Sequence, residues 1–134
     1  MRFLITEDDF ATRRLMQKYL SDYGNCDIAV DGAEAVAAFE LSLDEHDRYD
    51  LIFLDIMMPK MDGRKALQEI RRIEQEREVT YDSYVKVIMT TACEDSKNIM
   101  GSFNEGCEAY LIKPVERKKL INEMAKLGLI VLFN

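Results

Sequence analysis

The sequence predicts an α/β fold: five βα units, (βα)5, doubly wound as a three-layer sandwich around a mostly parallel sheet. Three observations lead there. Short apolar runs alternate five times with longer amphipathic stretches. That alternation places parallel strands between helices on both faces. Right-handed crossovers then leave the doubly wound arrangement as the chief topology, since a barrel needs eight units and roughly 250 residues. The 134 residues suit one domain and leave no room for a second module of ~60 residues or more.

The elements follow in order. Phe3-Leu4-Ile5-Thr6 reads as a buried strand. Asp9 to Tyr23 reads as a helix with Phe10, Leu15, Met16, Tyr19 and Leu20 on its inner side and Gly24 just past its end. Cys26 to Val30 is the second strand, and Asp31-Gly32 opens an Ala-rich helix carrying Val36, Ala37, Phe39 and Leu43. Leu51-Ile52-Phe53-Leu54 is the most apolar run and predicts a central strand, because strands covered on both faces lose the polar alternation. Asp62-Gly63 opens a third helix with Ala66, Leu67, Ile70 and Ile73 inward, and the charged stretch Glu74 to Tyr84 extends it and then loops. Val85 to Thr90 is the fourth strand, Ser96 to Glu105 the fourth helix, Ala109 to Ile112 the fifth strand, and Val115 to Leu127 a last helix stopped near Gly128. Residues 1–128 thus form the domain, and 129–134 a short apolar tail that docks on it, meets a partner, or marks a cut end.

Composition narrows the class. Twenty-five acidic against 18 basic side chains give a net charge of −7, which argues against nucleic acid or an anionic membrane as partner. Cys26, Cys93 and Cys107 are odd in number and lack CxxC spacing, as expected of reduced thiols in a cytoplasmic protein. The single histidine, His46, sits in the charged run 44–48 and reads as a solvated loop residue rather than a ligand or a catalytic base. Acid at Glu7 interrupts any leader-like apolar start, and no run approaches the ~18 residues that span a bilayer.

In an open α/β sheet ligands gather beyond the carboxyl ends of the strands. There the chain places Glu7, Asp8 and Asp9 after the first strand, Asp55 after the third, Thr90-Thr91-Ala92 at the fourth, and Lys113-Pro114 after the fifth. Glu7, Asp8 and Asp55 with Lys113 leave a pocket at −2, and like charges ~5 Å apart repel by roughly 3 kcal/mol at an effective dielectric near 20. A divalent cation relieves this. Carboxylates without imidazole or thiolate select a hard ion, Mg²⁺ with Mn²⁺ as a substitute. Asp9 and Asp62 suit helix caps instead. Asp55 does not, since a carboxylate amid Leu51–Leu54 and Ile56-Met57-Met58-Pro59 is costly without a purpose. A carboxylate beside such a cation, a lysine and a hydroxyl can attack phosphorus and form an acyl phosphate.

Four local signatures carry a resemblance over Phe3 to about Leu127. They are Phe3-Leu4-Ile5-Thr6-Glu7-Asp8-Asp9, Leu54-Asp55-Ile56-Met57-Met58-Pro59-Lys60-Met61-Asp62-Gly63, Met89-Thr90-Thr91-Ala92 and Ala109-Tyr110-Leu111-Ile112-Lys113-Pro114. In this the chain resembles the receiver domains of two-component response regulators, the CheY-like family. The resemblance implies a flavodoxin-like strand order of 2-1-3-4-5. It makes Asp55 the phosphoacceptor, charged from a phosphohistidine on a sensor histidine kinase or a histidine phosphotransferase. Mg²⁺ would be held by Asp8, by Glu7 through water, by Asp55 and by the backbone carbonyl of Met57. Thr91, the Ala92 backbone N–H and Lys113 would meet the phosphoryl group, Pro114 would set the turn, and Tyr110 would turn inward when Thr91 is drawn to the phosphate. Met57 and Cys93 occupy positions that tune hydrolysis in this family, and neither side chain aligns a water as a carboxamide does.

The same resemblance implies a stoichiometric phosphoacceptor rather than a turnover enzyme. It signals to an unknown downstream protein through a face of the fourth predicted helix, fifth strand and last helix that includes Asn98, Phe103, Tyr110, Lys118 and Lys119. The extra residues between Ile73 and Val85 lie at the other end of the sheet and are expected to tune partner choice. The alternatives are a pseudo-receiver used only for contacts and a Mg²⁺-dependent aspartyl-phosphate phosphatase. The latter wants a second acid two residues after the nucleophile, where this chain has Met57.

Overall fold

The computed structural model describes residues 1–92 and 106–132. Among them, five strands and four α-helices follow in the order β1 (Arg2–Thr6), α1 (Phe10–Leu20), β2 (Asn25–Ala29), α2 (Gly32–Asp44), β3 (Leu51–Asp55), α3 (Gly63–Glu76), β4 (Lys86–Thr91), β5 (Ala109–Ile112) and α4 (Arg117–Lys126), with one 3-10 turn at Tyr81–Ser83. The helix expected over 96–105 lies outside the described residues, as do Cys93, Asn98 and Phe103.

All strand pairs are parallel and the order is β2-β1-β3-β4-β5, as expected. β3 is central, and all five of its residues are buried. The period of two splits the sheet's side chains between two cores. Leu4, Ile52, Leu54, Val87 and Met89 pack with Phe39, Leu67 and Ile70 of α2 and α3. Phe3, Ile5, Leu51, Phe53, Ile88 and Leu111 pack with Met16 and Leu20 of α1 and with Leu120 and Met124 of α4. Both faces are covered, so the run 51–54 carries no polar alternation.

Caps fix where the helices start. Asp9, Asp31 and Asp62 sit in extended backbone, and each side chain accepts an N–H three residues on, from Thr12, Glu34 and Lys65. The inner stripe of α3 is as expected, with Ala66, Leu67, Ile70 and Ile73 buried. Three expectations are corrected. Phe10 and Leu15 are exposed, Phe10 at 63%, because the buried stripe of α1 is Met16 and Leu20 and each residue turns the helix by about 100°. Ala37 is exposed for the same reason, lying off the Ala35–Phe39–Ser42 stripe. Glu74, which opens the charged stretch expected to extend the third helix and then loop, is fully buried.

Glu74 has the partners that burial demands. Its Oε1 accepts from Arg71 Nη1 at 2.7 Å and its Oε2 accepts the Val85 N–H at 2.7 Å. Arg71 also donates to the carbonyls of Val85 and Gly106 and to Glu108, whose Oε2 accepts the Val87 N–H at 2.6 Å. This network ties α3 to the amino ends of β4 and β5. In the tail, Leu129 and Ile130 pack against the α1–α4 core, while Val131 and Leu132 are exposed. Among the described residues, no helix is long and apolar enough to cross a membrane.

Removing one partner of a buried ion pair strands the other charge. Glu74→Ala is therefore expected to cost about 3 kcal/mol in urea unfolding. Glu74→Gln, whose carbonyl still accepts the Val85 N–H, costs less. A loss in Glu74→Ala below about 0.5 kcal/mol, the scale of an ordinary surface change, would contradict this reading.

Candidate functional site

The carboxyl ends of β1, β3, β4 and β5 converge on one edge of the sheet. Glu7 follows β1 directly, and its N–H donates to Ala29 O at 3.0 Å, so it stays in line with the strand and is buried. Asp8 is exposed. Asp9 faces away as the cap of α1, and hydrogen bonds from the Thr12 hydroxyl and N–H hold its carboxyl below the usual range. Asp55 ends β3 in register with Thr90 and is 3% exposed.

Lys113 follows β5, and its N–H donates to Thr91 O at 2.7 Å. Its side chain reaches back across the edge. Nζ donates to Asp55 Oδ2 at 2.8 Å and lies 2.5 Å from Glu7 Oε1, where charge rather than hydrogen-bond alignment makes the contact. The other Asp55 oxygen, Oδ1, accepts the Met57 N–H at 3.1 Å. The Lys113–Pro114 peptide is cis. Thr91 is buried at the end of β4, Ala92 is exposed beside it, and Tyr110 sits on β5 between the buried Ala109 and Leu111.

Glu7, Asp8 and Asp55 each offer a carboxylate oxygen, all within 4.8 Å of one another. One lysine against three acids leaves the pocket at −2 if all are ionised. Glu7 records that environment: burial pushes its carboxyl up to about 7, the Lys113 ammonium beside it pulls it down, and the neighbouring Asp55 charge pushes it up further. Burial alone would lower Lys113, but its bonds to Asp55 and Glu7 outweigh that and hold it above the ordinary lysine range. The donors are all hard carboxylate oxygens, the set suited to Mg²⁺.

Two glycines matter to this site in a way their reading as helix openers missed. A Cβ on Gly63 would lie 2.3 Å from Asp55 O, and one on Gly32 would lie 2.3 Å from Met61 O. Gly63 N–H donates to Ile56 O, and Gly32 N–H donates to Met61 O, each at 3.0 Å. The starts of α2 and α3 therefore strap the loop 56–62 that follows Asp55. The only signal for this was the repeated Asp-Gly step at 31–32 and 62–63.

Comparison with known proteins agrees with this fold. Residues 3–125 match the response regulator receiver domain family. The probable transcriptional regulator ycf29 of Porphyra purpurea is 34% identical over 120 residues, covering 89% of this chain and 52% of that protein. The osmosensing histidine protein kinase SLN1 of Saccharomyces cerevisiae is 30% identical over 122 residues, covering 90% of this chain and 9% of the kinase. The chain thus spans about half of the first relative and a small part of the second. Among solved structures, the CheX-CheY-BeF3-Mg complex from Borrelia burgdorferi is similar with a TM-score of 0.79 at 28% identity, covering 96% of this chain and 89% of that one. The receiver domain of a Pseudomonas aeruginosa sensor histidine kinase, with a magnesium ion coordinated in its active site cleft, is similar with a TM-score of 0.74 at 28% identity, covering 95% and 97%.

The raised Glu7 carboxyl has a consequence for stability. The native state holds this proton more tightly than the unfolded chain between the ordinary 4.5 and about 7. The stabilisation is therefore complete below about pH 4.5 and is lost as pH rises through 7. Metal-free protein is expected to lose about 2–3 kcal/mol from this group between pH 4.5 and pH 8. Urea unfolding of Glu7→Gln should show a flatter pH profile and a more stable protein at pH 8. Equal slopes for the two proteins would contradict the assignment.

Proposed function

The chain belongs to the response regulator receiver domain family of two-component signalling, and from that premise we propose that Asp55 is its phosphoacceptor. The donor is a phosphohistidine on a sensor histidine kinase or a histidine phosphotransferase. The observation that carries the proposal is the Lys113 ammonium bridging Asp55 and Glu7 within a cluster of three carboxylates at the strand ends.

An Asp55 carboxylate oxygen attacks phosphorus, the P–O bond forms, and the P–N bond to the donor imidazole breaks with its electron pair leaving on nitrogen. Lys113 already donates to Asp55 Oδ2 and follows the charge as it passes to the phosphoryl oxygens. The Thr91 hydroxyl and the Ala92 N–H donate to the same group, and Pro114 sets the turn that aims Lys113. Asp8, Asp55, the Met57 carbonyl and, through water, Glu7 would hold Mg²⁺ (or Mn²⁺), which supplies neutralisation of the phosphoryl charge. The magnesium and BeF3 named for the similar solved structures support that ligand class.

The protein acts once per phosphoryl group and catalyses only its own phosphorylation and dephosphorylation. Thr91, drawn toward the phosphate, lets Tyr110 turn inward and alters the face of β5 and α4, which carries Lys118 and Lys119. A downstream protein reads that face. Residues 1–128 form the receiver domain and 129–134 its tail. The reaction belongs in the cytoplasm, where a kinase's phosphohistidine is made.

Incubation with Mg²⁺ and a small acyl-phosphate donor is expected to add one phosphoryl group by intact mass, and Asp55→Asn to gain none. A gain that survives Asp55→Asn would contradict the assignment. Met57 cannot orient a water as an amide does, so Met57→Asn is expected to shorten the life of the phosphorylated protein by about tenfold, the scale of one hydrogen bond. An unchanged or longer lifetime in that variant would contradict it.

A further inference from the structure

Met57 combines two properties found together at no other methionine among the described residues. Met57 is 71% exposed and Met1 39%, whereas Met16, Met89 and Met124 are buried and Met58 and Met61 are half-buried. Its backbone N–H donates to Asp55 Oδ1 at 3.1 Å, so the side chain leaves the backbone beside the Asp55 carboxylate. We propose that Met57 is an oxidation site through which peroxide shortens the life of the phosphorylated protein. This rests on Asp55 being the phosphoacceptor.

The chemistry needs one oxidant, hydrogen peroxide. A sulfur lone pair attacks one peroxide oxygen, the O–O bond breaks, and the departing hydroxide takes the proton from the new S–OH group, leaving the sulfoxide and water. Sulfur is oxidised to the sulfoxide and the peroxide is reduced. The product exchanges a weak acceptor for a strongly polar S=O group, and it is reversible by sulfoxide reductases. Peroxide reaches an exposed thioether directly, while a buried one must wait for an opening of the fold.

The effect on the site follows from what the thioether lacks. Hydrolysis of the acyl phosphate requires a water whose oxygen attacks phosphorus as the bond to Asp55 breaks. The thioether offers such a water no useful hydrogen bond. A sulfoxide oxygen on the same side chain accepts one and orients the water, as a carboxamide does. Modification at the pocket mouth thus changes the duration of the signal and leaves the phosphoacceptor in place.

The test uses the full chain. Protein treated with hydrogen peroxide is then reduced with dithiothreitol, which restores sulfenic acids and disulfides at Cys26, Cys93 and Cys107 but leaves sulfoxides. Peptide mass mapping is expected to find oxygen on Met57 ahead of Met58 and Met61. After phosphorylation with a small acyl-phosphate donor and Mg²⁺, hydrolysis of the oxidised protein is expected to be about tenfold faster than that of the untreated protein, the scale of one water-orienting hydrogen bond. In Met57→Leu, treated and untreated samples should hydrolyse at the same rate as each other. The proposal is overturned if Met58 or Met61 is oxidised first, if hydrolysis is unchanged or slowed, or if Met57→Leu responds as the unaltered chain does. Failure to take up phosphate at all would overturn the reading of Asp55 instead, so the two failures are distinct.

Discussion

Three carboxylates and one ammonium held together at the edge of a parallel sheet are the constraint on which this structure turns. Such a cluster repels itself, and the fold keeps it by making each position hard to vacate. Asp55 is fastened by the central strand, with its backbone pinched against Gly63. Glu7 is held by the β1–β2 ladder. Lys113 is brought from the far edge strand by its own backbone bond to Thr91 and spans the gap with its side chain. The remaining imbalance is what a divalent cation would correct.

The opposite edge of the sheet shows what acids look like when they serve the fold. There Glu74 and Glu108 flank Arg71, and each also accepts a backbone N–H, from Val85 and Val87. Two carboxylates meet one guanidinium and two amides, so all four carboxylate oxygens have a donor, and the single charge left over is smaller than the −2 at the other end of the sheet. At the functional edge the acids face one another with a single lysine between them, and Glu7 holds its proton up to about 7, chiefly because burial disfavours its charge and further because Asp55 lies beside it. The residues added between Ile73 and Val85 thus begin with a structural anchor, Glu74, before they reach the exposed turn at Tyr81–Ser83.

Much of this was legible in the sequence because it depends on local pattern. An aspartate interrupting an apolar run marked Asp55, and five alternations marked a doubly wound parallel sheet once right-handed crossovers were required, while its strand order came from the family resemblance. Asp9 and Asp62 were legible as caps because a cap is a local bond. What was not legible depends on distant partners. Glu74 lies four residues after Ile70, in step with the inner stripe that Glu76 misses, but its charge reads as solvent-facing until Arg71 and the Val85 N–H are in place. Phe10 and Leu15 were misplaced because an apolar residue near a stripe looks much like one on it. The need for glycine at 63 arises from the carbonyl of Asp55, eight positions away.

The central claim is that Glu7, Asp8 and Asp55 form one divalent-cation site. It is tested most directly by calorimetric titration of the metal-free protein with Mg²⁺, beside Asp8→Asn and Asp55→Asn. The account predicts a single site whose affinity falls by at least about tenfold in each variant, since each removes a charge and a ligand together. Equal Mg²⁺ affinity in all three proteins, or no saturable binding in the unaltered chain, would contradict it.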